Sequence, residues 1–276
     1  MLVNSNALFV KARKGNYAIP AANYIDLDSA RSYIKVAEQK RLPLILAFAQ
    51  SHKDILSLEE AALIGKFLGE KASVPIVLHL DHGEDYGFIE RAIRLGFTSV
   101  MIDASQKKFD ENIQVSKEVV ELAHQFDISV EAELGHVGSN QISFEQGKPD
   151  SIYTETESVI EFVDKTKVDS LAISIGTAHG LYKGTPKINF ERLHEIRKLT
   201  DVPLVLHGGS SSGDLNLERC ATEGISKINI YTDFLMGAQH EIEENGYQNY
   251  IEFKNLANVG MEKVLEHYYK VFHTKL

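Results

Sequence analysis

Short runs of β-branched and aliphatic residues alternate along the chain with longer stretches in which apolar side chains recur every three or four positions. The first kind predicts strands at Ala18–Asn23, Leu42–Ala47, Ile76–Asp81, Ser99–Ile102, Ser129–Leu134, Ser170–Ile173, Leu204–His207 and Lys227–Tyr231. The second predicts helices near Asp28–Gln39, Ser57–Lys71, Gly87–Leu95, Asp110–Phe126, Glu157–Thr166, Asn189–Leu199, Leu215–Glu223 and Thr232–Glu244. Asp28 and Ser57 are placed to accept bonds from the free N–H groups of a first helical turn, and Glu60 follows Ser57 at capping-box spacing. Pro75 and Pro203 precede strands, where a missing N–H costs little. Eight such βα units, with no linker, low-complexity tract or short internal repeat between them, predict a (β/α)8 TIM barrel. One domain over residues 1–276 is expected, with a C-terminal helical extension.

In such a barrel the chemistry sits at the C-terminal ends of the strands. Asn23, Gln50, Asp81 with His82, Asp103, Glu133, His179, His207 and Asn229 all fall at or just past predicted strand ends, whereas residues kept only for solvation would scatter over both rims. His82, His179 and His207 are each followed by glycine, which lets backbone turn sharply and approach a bound molecule. Three neutral imidazoles that leave a coordination position open are the usual arrangement of a catalytic zinc. Long stretches of chain separate them, so only a folded barrel unites them. His52, His124, His194, His240, His267 and His273 are read as surface or satisfied core residues. His79, two before Asp81, shares its strand face and is read as a packed interior residue, while His136, on a loop after the fifth strand, could approach the site but is read first as an ordinary loop residue.

A Gly/Ser stretch, His207 to Gly213, follows the seventh strand, and Asn229 to Thr232 ends the eighth and opens a helix. Free N–H groups in those two places make the phosphate site of many barrel enzymes. Hydrophobic content of 43% and charged content of 25% suit a soluble globular fold rather than disorder. A net charge of -10 with pI near 5.6 argues against general affinity for nucleic acid or acidic membranes, so an anionic substrate must be held by local dipoles and a metal. Cys220 is the only cysteine, which rules out an internal disulfide, and Met1 to Tyr24 carry no long apolar run behind a basic start. A cytoplasmic location is expected.

The motifs His79-Leu80-Asp81-His82-Gly83, Glu131-Ala132-Glu133-Leu134-Gly135, Ile175 to Gly184, Leu206-His207-Gly208-Gly209-Ser210 and Lys227-Ile228-Asn229-Ile230 resemble, in order and spacing, the class II, zinc-dependent ketose-bisphosphate aldolases. The resemblance runs from about Tyr17 to Thr232. It implies reversible cleavage of fructose 1,6-bisphosphate or tagatose 1,6-bisphosphate, with His82, His179 and His207 as zinc ligands and Asp81 exchanging a proton with the C4 hydroxyl. It further implies that Gly180, Gly208, Gly209, Ser210 and Asn229, Ile230, Tyr231, Thr232 hold the dihydroxyacetone-phosphate half. Asp103 and Glu133 match positions that bind a second divalent or monovalent cation in some members. Asn23 and Lys183 are weaker candidates for substrate binding, and Glu145, on a loop between Gly138 and Tyr153, is a weak candidate for the acid that protonates the enediolate.

An imine mechanism finds no suitable lysine: Lys227 appears at the start of its predicted strand and Lys183 in a loop. Two departures from the family pattern stand out. Thr232-Asp233-Phe234-Leu235-Met236 lacks the basic residue many relatives carry there for the far phosphate, and Ser211 occupies a position where glycine is common. An aldolase for a related ketose phosphate, a zinc-dependent hydrolase on the same barrel and a non-catalytic aldolase-like subunit remain as alternatives. A homo-oligomer is expected, and the apolar, aromatic stretch Val259 to Phe272 serves either a subunit contact or packing on its own barrel.

Overall fold

Strands that are apolar on both faces need partners on both edges, and here they find them by closing on one another. In a computed structural model that describes residues 1–138, 153–182 and 184–276, the strands are β1 (Ile19–Asn23), β2 (Leu44–Ala49), β3 (Ile76–Gly83), β4 (Ser99–Ile102), β5 (Ser129–Leu134), β6 (Ser170–Ile173), β7 (Leu204–Leu206) and β8 (Ile225–Ile230). They pair in parallel in chain order to form a closed barrel, with Ile19 of β1 opposite Lys227 of β8. Around them lie α1 (Asn6–Gly15), α2 (Leu27–Lys40), α3 (Leu58–Lys71), α4 (Tyr86–Leu95), α5 (Phe109–Ala123), α6 (Thr156–Thr166), α7 (Phe190–Leu199), α8 (Asp214–Glu223), α9 (Thr232–Asn245) and α10 (Tyr250–Val271). The (β/α)8 expectation holds.

Phe48, Phe97, Phe162, Phe234 and Phe272 are fully buried in the main core. Each such ring stabilises the fold by roughly 1.5–3 kcal/mol relative to exposure. Ser57 and Glu60 form the expected capping box of α3, but Asp26 rather than Asp28 caps α2, because the chain is still extended at Asp26 and its carboxylate reaches the Ser29 N–H. The eighth strand starts at Ile225, two residues before the expected start, so Lys227 lies within it.

Helix α1 was not legible as an amphipathic pattern. It buries only Leu8, Phe9 and Ala12, which pack with Ile19, Ala21, Ile45 and Val77 at the N-terminal ends of the strands. Opposite in sequence, α10 buries Leu265, Tyr268 and Tyr269 within its own chain, so the apolar stretch from Val259 to Phe272 serves packing on its own barrel. Its close crossing with α9 depends on Gly237 and Gly260: a Cβ on Gly260 would stand 2.2 Å from the Gly237 carbonyl oxygen. Among the described residues no helix is long and apolar enough to cross a membrane.

Candidate active site

Alternation along a strand sends every second side chain into the barrel. In β3, β5 and β8 those inward positions hold His79 and Asp81, Glu131 and Glu133, and Lys227 and Asn229, all buried. A deeper layer forms first: the Lys227 ammonium donates to Glu131 Oε2 at 2.8 Å and to His79 Nε2 at 3.1 Å, and His79 Nδ1 meets Ser99 Oγ at 2.9 Å. Burial, then the Lys227 charge, push His79 down to about 3, so it stays neutral and can accept that bond. Burial opposes ionisation of Glu131, but the Lys227 charge and the His207 hydrogen bond prevail and hold its carboxyl down at about 2.

Above this layer Asp81 is clamped. Asn23 donates to its Oδ2 and Asn229 to its Oδ1, each at 2.9 Å. Burial alone would raise this carboxyl, but His82, His207 and Lys227 hold it well below the usual carboxylate range. In an unbroken strand His82 would point away from Asp81. Instead the pairing of β3 with β4 slips between Leu80 and Gly83, and His82 adopts φ 46°, in the left-handed region. The bulge turns the histidine toward its neighbours, and such strain gathers at functional sites.

The three imidazoles expected from the sequence converge. Ring centroids lie 4.4 Å apart for His82 and His207, 5.0 Å for His82 and His179, and 6.0 Å for His179 and His207, and one nitrogen from each falls within 4.8 Å of the others. Their second nitrogens show whether a cation fits. His82 Nδ1 is 2.8 Å from Asp103 Oδ2 and His207 Nε2 is 2.9 Å from Glu131 Oε1. Ionised carboxylates only accept, so those nitrogens carry the protons. That leaves His82 Nε2 and His207 Nδ1, buried and with no hydrogen-bond partner among the described residues, as the nitrogens that would offer lone pairs to a cation. Burial opposes charge on His82, but the Asp81 and Asp103 carboxylates hold it well above its ordinary value, so a bound cation would displace its proton. Carboxylate-oriented imidazoles with inward lone pairs suit a zinc-like cation.

A second group, His82, Asp103 and Glu133, also brings ligand atoms within 4.8 Å of one another. Burial, then the Asp103 carboxylate, push Glu133 up to about 8. His136 does reach this edge of the site: its Nδ1 is 2.9 Å from Ser105 Oγ and 3.8 Å from Glu133 Oε1. It belongs to neither candidate metal group among the described residues.

A cleft beside the imidazoles is lined by Asn23, His179, Gly180, Gly208, Gly209, Ser210, Asn229, Tyr231 and Thr232. Apart from Asn23 and the candidate metal ligand His179, these are the residues expected to hold the dihydroxyacetone-phosphate half, of which Ile230 is buried and outside the lining. Gly208 sits at φ 66° with the Ala178 carbonyl oxygen 2.5 Å from where a Cβ would stand, so the loop after β7 needs glycine to lie against the loop carrying His179. Gly83, read from the sequence as a turn residue, has a different reason: its Cβ position is 2.5 Å from the Met101 carbonyl oxygen of β4. Gln50 accepts from the Glu84 N–H at 3.0 Å and so braces the end of β3 instead of facing the cleft lining. Glu145 and Lys183 lie outside the described residues.

Sequence reasoning missed the roles of Glu131 and Lys227. Glu131 belongs to a motif that gives no sign of its bond to His207, and Lys227, predicted at a strand start, is fully buried inside the barrel. The available signal was charge at an inward position of a strand, where an apolar residue is the rule.

Comparison with known proteins agrees with this geometry. The family model described as fructose-bisphosphate aldolase class-II matches residues 3–275. The chain is similar to the D-tagatose-1,6-bisphosphate aldolase subunit GatY of Klebsiella oxytoca, 39% identical over 248 residues that cover 88% of this chain and 87% of that protein. Among solved structures it is similar to the YdjI aldolase from Escherichia coli K12, with TM-score 0.88 and 31% identity over 99% of this chain and 98% of that one. The fructose-bisphosphate aldolase from Campylobacter jejuni, at 22% identity and TM-score 0.82 over 99% of this chain and 95% of that one, shares the fold. With the family match running over nearly its whole length, the chain belongs to the class II fructose-bisphosphate aldolases and is an aldol-cleaving lyase.

Proposed function

We propose that this enzyme splits a ketose 1,6-bisphosphate reversibly into dihydroxyacetone phosphate and glyceraldehyde 3-phosphate, with Asp81 as the proton-transferring group. The observation that carries the reading is the Asp81 carboxylate, pinned by two amides and 4.0 Å from the ring nitrogen of His207. His82, His179 and His207 would hold the zinc ion. When bound there, it supplies a Lewis acid for the negative charge that develops on the three-carbon fragment, worth several kcal/mol.

Asp81 accepts the proton of the C4 hydroxyl as the C3–C4 bond breaks. The electron pair of that bond stays on C3, C4 becomes the aldehyde carbon, and a proton later returns to C3. Asn23 and Asn229 each occupy one oxygen of Asp81 and so fix its orientation while leaving further lone pairs for the substrate. Backbone N–H groups of Gly180, Gly208 and Ser210, with that of Thr232 at the start of α9, would cradle the phosphate of the ketone half, while the Gly209 N–H is taken by the Asn229 carbonyl. Ser210 Oγ accepts from the Tyr231 N–H at 3.1 Å and the Asp233 N–H at 3.4 Å, which leaves its own proton to donate to an anion. Asp103 and Glu133 are the candidate second-cation ligands, Lys183 a candidate phosphate ligand and Glu145 a candidate acid for C3.

The GatY relative is named for D-tagatose 1,6-bisphosphate, which makes that epimer the first substrate to try. Steady-state kinetics with tagatose and fructose bisphosphates on one metal-assayed sample tests the choice; cleavage of neither by fully loaded protein would remove the reading. Asp81→Ala is expected to keep its metal and lose on the order of 10²- to 10⁴-fold in rate. Loss of the metal instead would make Asp81 a ligand. Residues 1–276 are taken to act as one domain in a homo-oligomer, with Tyr247, Tyr250 and Ile251 offering exposed apolar surface; sedimentation as a monomer only would exclude that assembly.

A further inference from the structure

Ser211 adopts φ 59°, a conformation that costs an L-residue free energy. One carboxylate offsets that cost. The Ser211 N–H donates to Asp233 Oδ2 at 2.9 Å and the Ser211 hydroxyl donates to Asp233 Oδ1 at 2.9 Å. From α10 the Tyr268 hydroxyl donates to the same Oδ2. Asp233, in the first turn of α9, thereby ties the loop after β7 to the C-terminal helix. None of Ser211, Asp233 and Tyr268 lines the cleft, yet Ser210, next in the chain, does.

The arrangement answers a difficulty of charge. A carboxylate near a phosphate pocket repels the ligand if it can swing toward it. Here both oxygens are engaged by donors, one of them twice, so the carboxylate faces its own scaffold. We propose that Asp233 is a positioning residue: by pinning Ser211 it holds Gly208 to Ser210 in the conformation that receives phosphate, while Tyr268 holds Asp233 in turn. The inference rests on the phosphate subsite proposed above.

The test measures the Kd of inorganic phosphate by calorimetry on metal-loaded protein, beside KM and kcat for the ketose bisphosphate. Asp233→Ala is expected to weaken phosphate binding and raise KM about tenfold, with metal content retained and kcat within about twofold. Adding Ser211→Gly to that variant should restore the affinity, because glycine takes a positive φ without an anchor. Tyr268→Phe should shift Kd in the same direction by a smaller factor. If Asp233→Ala does not fold, Ser211→Ala against Ser211→Gly makes the same comparison: alanine should weaken phosphate binding and glycine should not. Failure of glycine to rescue, or equal effects of alanine and glycine at position 211, would overturn the positioning role. If Ser210→Ala weakens phosphate binding and Asp233→Ala does not, this inference falls while the subsite stands. If neither does, the subsite falls and takes the inference with it.

Discussion

Replacing Lys227 with methionine removes one positive charge from the closed interior of the barrel and keeps the approximate length of the side chain. Lys227 and Glu131 are 0% and 1% exposed and meet at 2.8 Å, so the carboxylate left behind has no water to turn to. Breaking a buried pair by removing one partner costs about 3–5 kcal/mol. Against a total stability of roughly 5–15 kcal/mol, that is a large share. His79 Nε2 loses a donor in the same step, which pushes the cost toward the upper end. Equilibrium urea unfolding reads the effect as a fall in midpoint at constant slope. The double variant Lys227→Met with Glu131→Gln should recover much of the loss, since a neutral amide no longer strands a charge but can still accept the bond from His207 Nε2. A single-variant cost below about 1 kcal/mol, or a double variant as unstable as the sum of its parts, would refute the claim that the buried charges depend on each other.

Three further outcomes concern the enclosed amine of Lys227 and the buried thiol of Cys220. Chelation is expected to abolish activity while borohydride added with substrate does not, because the Lys227 amine is enclosed and occupied by Glu131 and His79; the reverse result would assign the reaction to a lysine imine. Burial pushes the Cys220 thiol from its ordinary 9.0 up to about 12, so a thiol reagent at pH 8 should label it only after unfolding. Because the folded value lies above the unfolded one, this group's contribution to stability is complete below pH 9.0 and is lost as pH rises toward 12, visible as a lower urea midpoint at pH 10 than at pH 8. Rapid labelling of the native protein would contradict the burial.

Much of this molecule was readable because alternation and glycine placement are local signals. Strands four, five and six fall where their apolar runs place them, and His82, His179 and His207 meet as their positions at strand ends implied. What escaped reading depends on partners distant in sequence. Glu131 is an ordinary charged residue until β7 brings His207 against it and β8 brings Lys227 beneath it. Helix α1 is hard to read because its apolar residues run together from Ala7 to Val10 instead of recurring every three or four positions, and only Leu8, Phe9 and Ala12 are buried. Asn23 looked like one more polar strand end, and its value lies in the Asp81 oxygen it reaches across the barrel.

The left-handed backbone of His82 was equally invisible, and it makes Gly83 an exacting position in the site. The Gly83 carbonyl accepts from the Asp103 N–H at 2.8 Å, and Asp103 in turn orients His82. A methyl group at Gly83 would stand 2.5 Å from the Met101 carbonyl oxygen and 2.7 Å from Ile89 Cγ1, so β3 would have to separate from β4 where the bulge turns the histidine. Gly83→Ala is therefore expected to weaken metal binding about 10- to 100-fold although no ligand is changed, the effect usual for a lost orienting contact. Metal titration of the variant, with the folded fraction checked by circular dichroism, reads this directly. Wild-type metal affinity and rate in Gly83→Ala would mean that the bulge yields without cost, and that the geometry of the three imidazoles does not depend on how tightly β3 and β4 are joined.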